Sequence, residues 1–159
     1  MSHIAEDVID ATSGVTEGSP LDALRAARPE VRARTQTSYA AVFDSAGSGG
    51  LPAHERFAVA MRVAQLHKAS TLAVHYRDRL ALEAQGEQTA AGVTARLAAI
   101  LRHADKVTLR PADATRADLN ALAAQGLGEA EIVTLSQIIA FVAYQVRVAA
   151  SLALIAEFA

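Results

Sequence analysis

His75 is the side chain in this sequence best suited to acid–base chemistry. On a helix it shares a face with Thr71 and Arg79, four residues to either side, and Lys68 lies a further turn back. A histidine titrating near neutrality can give or take a proton, and Lys68 or an arginine could hold an anionic substrate beside it. The same spacing also suits a half-buried imidazole satisfied by Thr71 or a backbone carbonyl, with no chemistry attached. Tyr144 and Arg147 form a second candidate group, for substrate binding. An arginine among apolar residues needs a partner, either a carboxylate across a subunit interface or a substrate carboxylate gripped by its planar fork. Tyr76 points to a different face from His75 and reads as a packing residue with a wet hydroxyl.

Other chemistries are poorly served. The 159-residue chain has no cysteine, which excludes disulfides, thiolate metal sites and cysteine nucleophiles. His67 and His75 stand eight apart, two turns or ~12 Å along a helix axis, too far for two ligands of one ion. No metal and no bound cofactor are therefore expected. His3, His54 and His103 read as surface residues. There is no glycine-rich phosphate loop and no GxSxG turn. Net charge is −2 with the signs interspersed, which leaves no basic footprint for nucleic acid.

The elements that must position these residues are helices. The composition is 52% hydrophobic but only 4% aromatic, with alanine prominent and Gly and Pro confined to a few places. Residues 1–18 read as a loose lead-in to a single domain over 19–159. Ser19-Pro20 caps a short helix, Pro29 opens a second, and the run 45–50 (SerAlaGlySerGlyGly) is the strongest breaker. A helix from Pro52 continues, through a break near His67–Ser70, to Gly86. Another covers Thr94 to Thr108. Thr115-x-x-Asp118 resembles a capping box leading to a stop at Gly126. The last segment, 128–158, is apolar nearly all round, so part of it is expected to pack on another copy of the chain. Its uncharged run of 15 residues, Ile132 to Val146, falls short of the ~18 to 20 needed to cross a bilayer. A chain without a membrane partner, located in the cytoplasm, is the expectation.

Two stretches carry a family resemblance. Residues 51–67 (LPAHERFAVAMRVAQLH) with 69–76 (ASTLAVHY) resemble the core helix pair of the carboxymuconolactone decarboxylase and alkylhydroperoxidase D superfamily. Residues 119–149 look like that superfamily's next turn and long helix. The resemblance spans about 20–155 and implies an all-α bundle of about six helices that forms homo-oligomers. Hydroperoxidase members use Cys-x-x-Cys-x-x-x-His, which falls here on Lys68, Thr71 and His75, so the thiol redox cycle is absent. The family's upstream glutamate falls on Arg56, with Glu55 one residue and ~100° of helix away. The decarboxylase branch keeps the histidine with an acid four residues before it, where this chain has Thr71. The resemblance thus implies a cysteine-free member. It is either an acid–base enzyme of lyase or isomerase type, or a binder of a small metabolite, centred on His75, Thr71 and Lys68, with Arg147, Tyr144 and Glu55 on substrate. The alternative is a silent structural or interaction subunit, with a peroxidase-related oxidoreductase further down the order.

Overall fold

The computed structural model describes residues 7–43, 49–86 and 94–158, which form eight α-helices and one 3-10 turn with no strand among them. In chain order these are α1 (Val8–Ser13), α2 (Pro20–Ala26), α3 (Pro29–Phe43), α4 (Ala53–Leu66), α5 (Ser70–Gly86), α6 (Ala95–Leu109), α7 (Arg116–Ala123) and α8 (Glu129–Phe158), with the 3-10 turn at Pro111–Asp113. The fold class agrees with the sequence reading, and the helix count is higher than the six expected. The breaks fall where the breakers stand: Ser19-Pro20, the His67–Ala69 turn, Thr115 and Gly126.

The helix covered on every side is α4, not α8. Six successive residues, Glu55 to Ala60, are buried, which requires neighbours all the way round. Those neighbours are α5, α6 and α8. Phe57, Val59 and Val63 of α4 meet Tyr76 of α5, Ile100 of α6 and Leu135, Ile138 and Val142 of α8, all fully buried. Each such side chain contributes roughly 1.5–3 kcal/mol of burial.

The long helix buries one face only, Thr134, Leu135, Ile138, Ile139, Val142, Gln145 and Leu152, which recur about every turn or two. Its other face is open in the single chain. Val133 is 56% exposed, Leu154 56%, Ile155 44% and Phe158 84%. By length and composition α8 is also apolar enough to cross a membrane, because a window of 18 residues tolerates the lone Arg147 that ends the uncharged run.

The expected loose lead-in contains α1. Asp7 caps it, accepting from the amides of Ile9 (2.9 Å) and Asp10 (3.1 Å), and Gly14 ends it in the left-handed region at φ 71°. Ile9 packs on Leu21 and Leu152, so the segment covers part of α8. The buried Arg25 of α2 bonds Asp10 (2.7 Å) and Asp7 (3.0 Å), and Arg32 of α3 pairs with Asp10 and Asp22. A carboxylate cage thus gathers the first three helices. Residues 1–6, with His3, lie outside the described residues, as do 44–48 of the glycine-rich breaker.

Gly49, in that breaker, has φ 62°, and a Cβ there would run into the Ala130 carbonyl oxygen and the buried Thr134 side chain at the start of α8. Gly49→Ala should therefore cost at least about 2 kcal/mol, from the left-handed backbone together with the overpacking. Urea unfolding should show a lower midpoint at unchanged slope; a wild-type midpoint would rule out this close approach.

Candidate functional site

The turn between α4 and α5 is built as a left-handed helix stop with an unusual residue at its apex. His67 ends α4, and the Lys68 amide bonds the Gln65 carbonyl while the Ala69 amide reaches back to Ala64, each at 2.9 Å. That pattern places the residue after the cap in the left-handed region, where glycine is the usual choice. Lys68 occupies it at φ 59°, the one non-glycine residue with positive φ among the described residues. The conformation costs about 1–2 kcal/mol relative to right-handed backbone. Such outliers persist where surrounding structure enforces them, and they gather at functional sites. Helix α5, 17 residues long, then starts at Ser70 behind Ala69, whose side chain offers no acceptor to its first amides.

A cavity of about 290 Å³ opens at this point. Its polar lining is Thr12 and Ser13 from α1, His67 and Lys68 from the turn, and Ser70 and Thr71 from α5, while Ala149, Ala150 and Ala153 of α8 form an apolar wall. Two buried polar atoms in that lining, His67 Nε2 and Ser13 Oγ, have no hydrogen-bond partner. Burial lowers the His67 pKa below its ordinary 6.5, and the nearby charge of Arg147 lowers it further. Neither Lys68 nor Arg147 has an ion-pair partner among the described residues. The site is therefore a small positive recess with a neutral imidazole and a helix start. Its chemistry suits an oxyanion.

The sequence-derived residues divide around this recess. Lys68 and Thr71 line it, while Arg147 is outside the lining and acts on it only through its charge at His67. His75 does not line it. Its Nε2 is 3.0 Å from the Tyr39 hydroxyl of α3, edge-on to that ring, in an aromatic cluster with Phe43, Phe57 and Tyr76. Tyr144 is on the outer face of α8 with its hydroxyl 3.0 Å from Thr35 Oγ1. Glu55 is buried in the core, where Arg96 of α6 grips both its oxygens at 2.9 and 3.1 Å and bonds Glu131 of α8 at 2.6 Å. Arg56, at the family's glutamate position, donates to the Val42 carbonyl at 3.0 Å.

Two readings need correction. Tyr76 is dry rather than wet: its ring is fully buried and its hydroxyl donates to Gln145 Oε1 at 2.5 Å, while burial pushes its pKa well above the usual 10.0. His103 is buried rather than on the surface, because it shares the inward face of α6 with Ala99, Ile100 and Ala104. Sequence reasoning also passes over His67, weighed only as a metal ligand, and Ser13, assigned to the lead-in. The run Asp7 to Gly14, a cap residue and a glycine stop around an apolar pair, is the signal for the missing helix. Among the described residues no group of three or more His, Asp or Glu is placed to hold a metal ion.

No protein-family model matches this chain, and no curated protein matches it significantly.

Both His67 and His103 have pKa values lowered in the fold, chiefly by burial. A group with a depressed imidazole pKa binds fewer protons folded than unfolded, so its stabilising contribution is complete above the unfolded value of 6.5 and is lost as pH falls below it. Imidazole NMR titration should give midpoints below 6.5 for both residues. The thermal midpoint should fall between about pH 7.5 and about pH 5.5, and less steeply in His103→Asn. Midpoints at or above the ordinary value would remove the basis for a neutral His67.

Proposed function

We propose that this chain binds a small anionic metabolite at the α4–α5 turn and acts on it, without a thiol or bound cofactor, as an acid–base enzyme of lyase or isomerase type. The observation that carries the reading is the recess itself, with Lys68 held in the left-handed region beside an unpartnered His67 Nε2. Lys68, Arg147 and the first amides of α5 would hold the anionic group, with Thr71 as a further hydrogen-bond partner. His67, kept neutral, would take a proton from the carbon next to that group and return it to a neighbouring atom. His75, the first choice from spacing, is supported less well because Tyr39 already engages its Nε2. Membership of the carboxymuconolactone decarboxylase-like superfamily belongs to the same proposal. It is supported by the all-helical fold and by the recess falling on positions 68 and 71, where that family's thiols align.

A thermal-shift screen of small carboxylates tests this on wild type, Lys68→Met, His67→Gln and His75→Gln. A ligand at a hundred times its dissociation constant adds about 2.7 kcal/mol, which raises the midpoint by roughly 5–10 °C in a domain of this size. The shift should survive in His75→Gln and vanish in Lys68→Met. A shift lost only in His75→Gln would return the site to His75, and no shift with any carboxylate would favour the silent subunit.

We propose also that a second copy of the chain covers the open face of α8. Leu154, Ile155 and Phe158 stand exposed along it with Tyr144 and Arg147, residue types that recur at the energetic centres of interfaces. Light scattering should give a dimer or larger assembly that Leu154→Glu reduces to monomer, the variant remaining folded by circular dichroism. A monomeric wild type at ~100 μM would overturn the assignment.

A further inference from the structure

A second cleft, of about 470 Å³, lies between α6 and α7 and shares no lining residue with the α4–α5 recess. Its electrostatics can be followed pair by pair. Asp105 is held by Arg62 through two bonds of 2.7 and 2.8 Å, and Asp118 by Lys106 through two of the same lengths. Asp118 is further tied to the Thr115 amide and hydroxyl, and together these partners bring its pKa down to about 2. Each carboxylate is thus matched by its own cation. Arg110 stays only loosely engaged with Asp113, at 3.8 Å. Arg102 is exposed and has no ion-pair partner among the described residues. The cleft keeps one positive charge that nothing nearby balances.

One lining residue carries an unmet hydrogen-bonding group. His103 is 8% exposed, lines the cleft, and leaves Nδ1 buried with no partner. A buried polar atom left unpaired costs roughly 1–3 kcal/mol, a penalty that a bound oxygen would remove. Between the polar groups the walls are Ala99, Leu109 and Leu122, and the volume falls within the range usual for small-ligand pockets. We propose that this cleft binds a small organic monocarboxylate with an apolar body, its carboxylate on Arg102 and His103 and its body against Leu109 and Leu122. One spare positive charge matches a single carboxylate. The flanking Asp105 and Asp118 count against a dianion such as phosphate.

The site is separate from the α4–α5 recess, so its failure would leave that reading untouched. The test is titration calorimetry on the full-length protein with octanoate, using 1-octanol as the uncharged isostere and inorganic phosphate as the bare anion. Octanoate should bind at least tenfold more tightly than either, and Arg102→Gln should weaken it about tenfold while leaving any ligand of the Lys68 recess unaffected. The His103 imidazole resonances should move on octanoate addition in wild type. Because Arg102 is on the surface, its variant should keep the wild-type thermal midpoint. Octanol binding as well as octanoate, phosphate binding equally, octanoate affinity indifferent to Arg102→Gln, or no movement at His103 would each overturn the proposal.

Discussion

At the start of α8 the Glu131 carboxylate accepts the Gly128 amide with one oxygen (2.7 Å) and Arg96 with the other, and Arg96 closes onto Glu55 in the middle of the molecule. Glu55 is nearly wholly buried, so its charge could not stand there without the guanidinium. Removing one member of a buried pair costs about 3–5 kcal/mol, trimmed here because Arg96 is a quarter exposed. Burial alone would raise the Glu131 pKa, yet the Gly128 amide and Arg96 overcome it and hold the group below its ordinary value. The network fixes α4, α6 and the first turn of α8 in register. From there Tyr76 and Gln145 bind α5 to the same helix lower down. The α4–α5 turn is thereby held against α8 from both sides, which is the enforcement that a left-handed Lys68 requires.

That arrangement also explains why the recess exists. The recess lies beside the tight turn that joins α4 to α5, and such a space must be filled by side chains or left open. Across from the turn α8 presents Ala149, Ala150 and Ala153, side chains too short to fill it. Helix α1 closes only part of the remaining side, with Thr12 and Ser13. Small residues on one wall and polar residues on the others leave a space whose surface asks for hydrogen bonds.

The fold was largely legible because its breaks are chemical. Pro20, Pro29, Gly126 and the Thr115–Asp118 box stop or start helices by local stereochemistry, and all stand where the structure turns. What escaped was tertiary. Helix α1 is six residues long, too short for periodicity to register, and it depends on carboxylates meeting Arg25 across fifteen or more residues. Likewise, the apolar content of α8 said that it needs cover, but not that α4 would be the enclosed helix. For the site, the sequence spacing set Lys68 on one helix with Thr71 and His75, whereas Lys68 stands in the turn before α5 and shares a cavity with Thr71 alone of those two. It could not see that Tyr39, on another helix, would take up His75, nor that the turn would aim His67 into the space instead.

Charge carries the same lesson further. Acids outnumber bases in this chain, seventeen to fifteen, and the whole-chain balance suggests no attraction for anions. Yet Asp7, Asp10, Asp22, Glu55, Asp105, Asp118 and Glu131 are all committed to ion pairs that hold helices together. Lys68, Arg102 and Arg147 have no such partner among the described residues; Lys68 and Arg102 each line a cavity that also contains a histidine, and the charge of Arg147 reaches His67. Structural pairing takes up the carboxylates nearest the two cavities and leaves Lys68 and Arg102 unpaired in their linings. Within a Debye length of about 8 Å, this local surplus, rather than the net −2, sets the field that a ligand meets. The proposed anion sites rest on that local surplus, in a chain whose overall charge is slightly acidic.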